Sequence, residues 1–305
     1  MPQVAVGRIE RSCGASGVSG TDWIRAAPGA DGLERIEAYF SGHAYDPHRH
    51  DTYAVGYTVS GVQCFDYRGA RADSVAGNAM VVHPDEVHNG RAGVEQGFVY
   101  RMLYVAPGAV RDALGDRAVA LPFVRSAVSS EARVVDAVRR AFADFHRPLE
   151  SLEIDLVVMS IAEVLLSLDR SASQSRPPSA ACVVATDRAR AVLDESFRRG
   201  VQSSELEAVA DIDRYTLARQ FRFRFGTSPY RYLTMRRLEQ ARVAIRAGTA
   251  LAEVAADAGF ADQSHMTRQF KRAYGISPGR WRRMLTLGSG GATRDATADR
   301  GNRSV

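Results

Sequence analysis

Short apolar runs broken by turn residues fill positions 33–106: LERIEAYFSG, YAVGYTVSG, VQCFDYRG, NAMVVHPDE and GFVYRMLYVAPG. Their Tyr, Val and Phe content, with Gly or Pro-Asp between runs, predicts antiparallel β structure. The period changes near residue 129. SEARVVDAVRRAFADF sets Val134, Val138, Phe142 and Phe145 on one side of a helix. LESLEIDLVVMSIAEVLLSLDR then aligns Leu152, Leu156, Met159, Val164 and Leu168 on an apolar face. Residues 171–185 open polar, contain a Pro-Pro pair and read as a linker. Residues 1–22 are Gly/Ser-rich and read as a flexible arm, and residues 287–305 as a disordered tail.

From 186 to 286 one helical design occurs twice. Leu206, Val209, Ala210, Ile212, Leu217, Phe221 and Phe225 carry the apolar positions of the first unit. Leu251, Val254, Ala255, Phe260, Met266, Phe270 and Tyr274 match them in the second. Ser204 and Glu207 have the spacing of a capping box. Asp211 and Gly259 stand where each first helix would end in a left-handed residue. Each unit is thus a helix, a tight turn and a second helix with a polar outer face. Those faces hold Arg214, Tyr215, Ala218, Arg219 and Arg222 in one unit, and Gln263, Ser264, His265, Thr267, Arg268 and Lys271 in the other. Arg can chelate guanine and Gln adenine in the major groove, while an aromatic or methyl group meets thymine. Between the units, residues 230–247 predict a helix of roughly 27 Å, against about 34 Å between successive major grooves on one face of B-DNA.

Charge sharpens this picture. Residues 187–284 hold 19 Arg and Lys against 11 Asp and Glu, whereas residues 1–186 hold 18 against 22. An acidic front and a basic back point to a polyanion as the partner of the back. The length of 305 residues, 45% apolar and 25% charged, fits two soluble globular domains. No run approaches the roughly 20 apolar residues of a membrane helix, and the first residues lack a secretory core, so a cytoplasmic location without membrane contact is expected. Cys13, Cys64 and Cys182 are scattered, which implies neither a disulfide framework nor a zinc site.

The stretch LAEVAADAGFADQSHMTRQFKRAYGISPGRWRR, with RQFRFRFGTSPYRYL before it, resembles the signature of the AraC/XylS family of bacterial transcription regulators. Met266 stands where that family usually has Phe, Leu or Tyr. The resemblance implies that Tyr215, Arg219, Gln263, His265 and Arg268 lie in or beside the grooves of promoter DNA. It also implies that residues near Ser228 and Ser277 approach phosphates. A homodimer, with Leu152, Leu156, Val164 and Leu168 at the contact, and RNA polymerase are further implied partners.

The β region resembles a cupin-like effector domain. His48 and His50 with Gly61 fit the first cupin motif, and Gly77 with VVHPDEVH fits the second in part. A metal-dependent cupin enzyme would need a Glu and a third His where Ala54 and Met80 stand. Two other readings of the histidines stay open: structural rings bonded to turn backbone in a regulator without a ligand, or walls of a small-molecule pocket. The pocket reading names His48, His50, Tyr53, Tyr57, Met80, His88 and Arg101 and is the one expected, with no enzymatic activity, cofactor or metal. The expected fold is α+β: a cupin-like β-barrel with following helices over 23–170, then an all-α domain of two helix-turn-helix units joined by a linker helix. The implied function is an effector-controlled transcription activator.

Overall fold

The computed structural model describes residues 21–30, 32–118, 120–173 and 178–289. Nine strands form the first half: β1 (Trp23–Ala26), β2 (Leu33–Phe40), β3 (His43–His48), β4 (Tyr53–Tyr67), β5 (Ala70–Val75), β6 (Ala79–Val82), β7 (His88–Ala92), β8 (Phe98–Val105) and β9 (Val128–Ser129). One sheet runs β1-β2-β8-β4-β6-β9, and the far half of β4 pairs with β5 and β7, which carries β3. The 15-residue β4 therefore belongs to both layers and closes the barrel. It turns at Gly61, φ +73°, where a Cβ would lie 2.0 Å from the Gly97 carbonyl oxygen. Only glycine fits there.

Strand alternation divides the core. Ala54, Met80, Val82, Phe98, Tyr100 and Met102 face the barrel interior. Tyr53, Val55, Tyr57, Val81, Leu103 and Val105 face outward into a second core. That second core is covered by α1 (Pro107–Leu114), α2 (Ala132–Ala141) and α3 (Ser151–Leu168). The face expected along α3 is split: Val164 is buried and Leu168 packs partly against the core, whereas Leu152 and Leu156 are 75% and 60% exposed. Its inward positions are Val158, Ile161, Ala162, Val164 and Leu165.

The remaining helices are α4 (Ala180–Glu195), α5 (Ser203–Ala210), α6 (Arg214–Phe225), α7 (Pro229–Arg246), α8 (Leu251–Asp257), α9 (Gln263–Tyr274) and α10 (Pro278–Ser289). The expected boundaries need correction in three places. Residues 180–185 are helical rather than linker, because the Ser179 side chain accepts from the Cys182 N–H and starts α4. Asp22, at the end of the expected arm, is fixed by Ser41 and Arg280. The expected tail enters α10 through residue 289. Residues 1–20 and 290–305, the rest of the arm and tail, lie outside the described residues.

Candidate nucleic-acid interface and interdomain cavity

The helix-turn-helix units follow from local capping chemistry. Asp211 ends α5 in the left-handed conformation, and the Asp213 carboxylate accepts from the N–H groups of Tyr215 and Thr216 to begin α6. Gly259, φ +79°, follows α8, and Asp262 accepts from the His265 N–H to begin α9. Glu207 does not complete a capping box. It holds Arg214 instead, through both the backbone N–H and the guanidinium. Of the residues expected to meet DNA, Arg214, Tyr215, Arg219, Arg222, Gln263, Ser264, Arg268 and Lys271 are exposed, and His265 and Thr267 are half-buried. Tyr215, at 79% exposure, presents its ring to solvent on the outer face of α6. Ser228 and Ser277 accept from the N–H groups of Arg231 and Arg280 near the starts of α7 and α10.

The acidic front and the basic back meet each other. Glu34 takes Arg242 and Arg246, Asp51 takes Arg236, and Asp85 takes Arg222 and Arg231. Asp46 takes Lys271 at 2.7 Å and Asp22 takes Arg280 at 2.9 Å. Every one of these carboxylates lies in the β half and every base in the helical half. Backbone bonds join the halves as well: Asp46 N–H to the Gly275 carbonyl, and Arg49 N–H to that of Arg272. Two residues expected to face DNA, Arg222 and Lys271, are thus held by the barrel.

A cavity of about 300 Å³ lies between the halves. Ile24, Leu33, Ile36, Met235, Ile276 and Trp281 give it an apolar side; Tyr45, His48, His50, Asp51, Tyr104, Arg236, Glu239 and Arg242 give it a polar one. Burial tends to raise the pKa of Glu34, but Arg242 and Arg246 outweigh it and hold the carboxyl below its ordinary range. Burial raises Glu239 to about 7 against the pull of Arg236. His48, His50 and His88 form a cluster, with ring centroids of His48 and His88 4.1 Å apart. Burial and mutual repulsion push His48 and His50 well below the usual imidazole range, and burial takes His88 to about 4. Among the described residues, no group of three His, Cys, Asp or Glu side chains is placed to hold a metal ion.

The expected pocket residues separate accordingly. His48 and His50 line the interdomain cavity. Met80 and His88 line a space of about 30 Å³ inside the barrel, little more than one water molecule. Tyr53, Tyr57 and Arg101 do not belong with them. Strand register pairs Gly56 with Met80 and Tyr57 with Ala79, which puts Tyr57 on the opposite face. Tyr53 donates to the Pro122 carbonyl, and Arg101 binds Glu37 and lies over Phe142. The helical-half walls of the cavity (Met235, Arg236, Glu239, Arg242, Tyr274 and Trp281) were absent from the expectation. A residue pattern shows which face is apolar, not which distant segment covers it.

Comparison with known proteins agrees with both halves. The family model described as "AraC-like ligand binding domain" matches residues 32–162, and the one described as "Helix-turn-helix domain" matches residues 206–284. A Streptomyces lividans protein described as an AraC-like transcription regulator is 35% identical over 149 residues, 47% of this chain and 48% of that protein. The transcriptional activator RhaS of Escherichia fergusonii is 36% identical over 90 residues, 28% of this chain and 31% of its own. The chain therefore matches about half or less of the length of these relatives. ToxT of Vibrio cholerae, solved with an unsaturated fatty acid bound, shares the fold with a TM-score of 0.60 at 11% identity, covering 87% of this chain and 94% of its own.

Proposed function

We propose that this chain, which belongs to the AraC family of regulators, is a sequence-specific DNA-binding transcription regulator controlled by a small molecule in the interdomain cavity. The observation that carries the reading is the pair of polar, exposed helix faces on α6 and α9, each started by an Asp cap and joined by the 18-residue α7. Arg214, Tyr215, Arg219 and Arg222 enter one major groove, and Gln263, Ser264, His265, Thr267, Arg268 and Lys271 the next. Ser228 and Ser277 bring the starts of α7 and α10 to the phosphates.

The barrel and DNA compete for Arg222 and Lys271. An effector walled in by both halves changes how they dock, and so changes how freely those bases reach DNA. In ToxT the bound molecule is a fatty acid; here the candidate site is the interdomain cavity, with His48 and His50 at its polar side. We assign the chain as an activator, as RhaS is, acting as a homodimer with RNA polymerase as the further partner. Leu152 and Leu156 on α3 form the dimer contact, and the buried Val164 takes no part.

Selection of random-sequence DNA by the full chain, followed by titration of the selected duplex, tests the reading. Arg268→Ala is expected to cost about 1–3 kcal/mol of specific binding and to relax one base position. Unchanged affinity and sequence preference would remove Arg268 from its role, and failure to select any sequence would contradict DNA reading itself.

A further inference from the structure

Each charged group in the cavity wall already has an opposite charge beside it. Arg242 makes two bonds to Glu34, which Arg246 also joins. Arg236 is shared by Asp51 at 3.2 Å and Glu239 at 2.8 Å. An entering carboxylate would have to displace Glu34 from two guanidinium groups, or join Asp51 and the partly ionised Glu239 on Arg236. Left without a cation, it would be a desolvated, unpaired charge. A cation fares no better. Arg242 itself lies over the rings of Tyr274 and Trp281, at 5.0 and 5.2 Å, and fills the aromatic faces that would receive one.

The unsatisfied groups are hydrogen-bonding groups of both kinds. The Nδ1 atoms of His48 and His50 lie 2.9 and 2.8 Å from the carbonyl oxygens of Asp46 and Thr52. A carbonyl only accepts, so each Nδ1 carries the proton and each lone pair sits on Nε2. His50, 4% exposed, leaves that acceptor without a partner. Nε of Arg236 and Nε of Arg242 are unpartnered as well, but all three atoms have almost no accessible surface, so the donors and acceptors that the cavity itself offers are the hydroxyls of Tyr45, Thr52 and Tyr104. A hydroxyl both donates and accepts; a carboxylate only accepts. The volume of about 300 Å³ is roughly twice that of a cavity that holds benzene.

We infer that the interdomain cavity takes an uncharged amphipathic molecule, a body of about two fused rings carrying a hydroxyl or similar donor–acceptor group, and discriminates against carboxylates. The inference rests on the cavity being the effector site. Titration calorimetry of the full chain with 2-naphthol, 2-naphthoate and 2-naphthylmethylammonium reads the preference directly. The alcohol is expected to bind at least tenfold more tightly than either ion. Equal or tighter binding of the acid or the ammonium overturns the inference, as does no binding by the alcohol up to about 1 mM. Glu34→Gln releases Arg242 and Arg246 and is expected to raise naphthoate affinity at least tenfold. Glu239→Gln, at a partly exposed position, is expected to shift it the same way should Glu34→Gln fail to fold, and no gain in either folded variant counts against the charge argument. Met235→Trp fills the cavity and is expected to abolish naphthol binding. Naphthol binding that survives it refutes the location, whereas loss of binding without any charge preference in the parent chain refutes only the ligand class.

Discussion

Four imidazoles, of His48, His50, His83 and His88, are enclosed in the β half and held neutral by burial. Their folded-state pKa values lie below the ordinary 6.5, at about 4 for His83 and His88. The unfolded chain therefore binds protons that the native chain does not as pH falls from about 6.5 towards 4, and stability drops over that window. Each ring contributes a slope of up to about 1.4 kcal/mol per pH unit. Glu239 works the other way, since its raised pKa favours folding as it protonates below about 7; it is one partly exposed group against four enclosed rings. A urea midpoint clearly lower at pH 5.5 than at pH 7.5 is expected, and an unchanged midpoint would show that the rings titrate normally. That His48 and His50 face one enclosed site was legible in the sequence from their spacing. The misplacement of Tyr53 and Tyr57 was a register error: the period-2 pattern gives two faces, and both faces of β4 are buried.

At the scale of elements, α3 and the end of α9 are the most informative. The sequence put Leu152, Leu156, Met159, Val164 and Leu168 on one face of α3, but apolar residues run nearly all round the helix, and the side that turns inward holds Val158, Ile161, Ala162, Val164 and Leu165. Its exposed Leu152 and Leu156 are expected to matter for association and not for folding. Leu152→Asp should convert a dimer to a monomer in sedimentation, with thermal stability of the monomer unaltered; a monomeric parent chain would refute the contact. After α9, Gly275 has φ +71°, and a Cβ there would lie 2.7 Å from His48 Nδ1 and 2.8 Å from the Asp46 carbonyl oxygen. Gly275→Ala is expected to lower stability by about 1–3 kcal/mol and to loosen the barrel from α9. A normal melting temperature together with unchanged protease sensitivity around residues 43–50 would contradict that contact. The left-handed positions at Asp211 and Gly259 were legible in the sequence, because helix ends are a local matter, whereas the Asp213 and Asp262 caps were not read there and the expected Ser204–Glu207 box does not form.

At the scale of the molecule, the uneven charge has two uses. The sequence suggested a polyanion for the basic half; the structure adds that the acidic half takes seven of its bases through Glu34, Asp51, Asp85, Asp46 and Asp22. That docking joins residues about two hundred positions apart, which no local pattern encodes. It also forms the cavity, so the site is a property of the assembled halves. On the proposed function, the same contacts place Arg222 and Lys271 under competition between barrel and DNA. The most direct measurement is the affinity of the full chain for its selected duplex, by fluorescence anisotropy, with and without the paired change Asp46→Ala and Asp85→Ala. Freed from the barrel, Arg222 and Lys271 should bind DNA at least several-fold more tightly and with a steeper salt dependence. Affinity that is unchanged or weaker in the folded double variant would contradict the account.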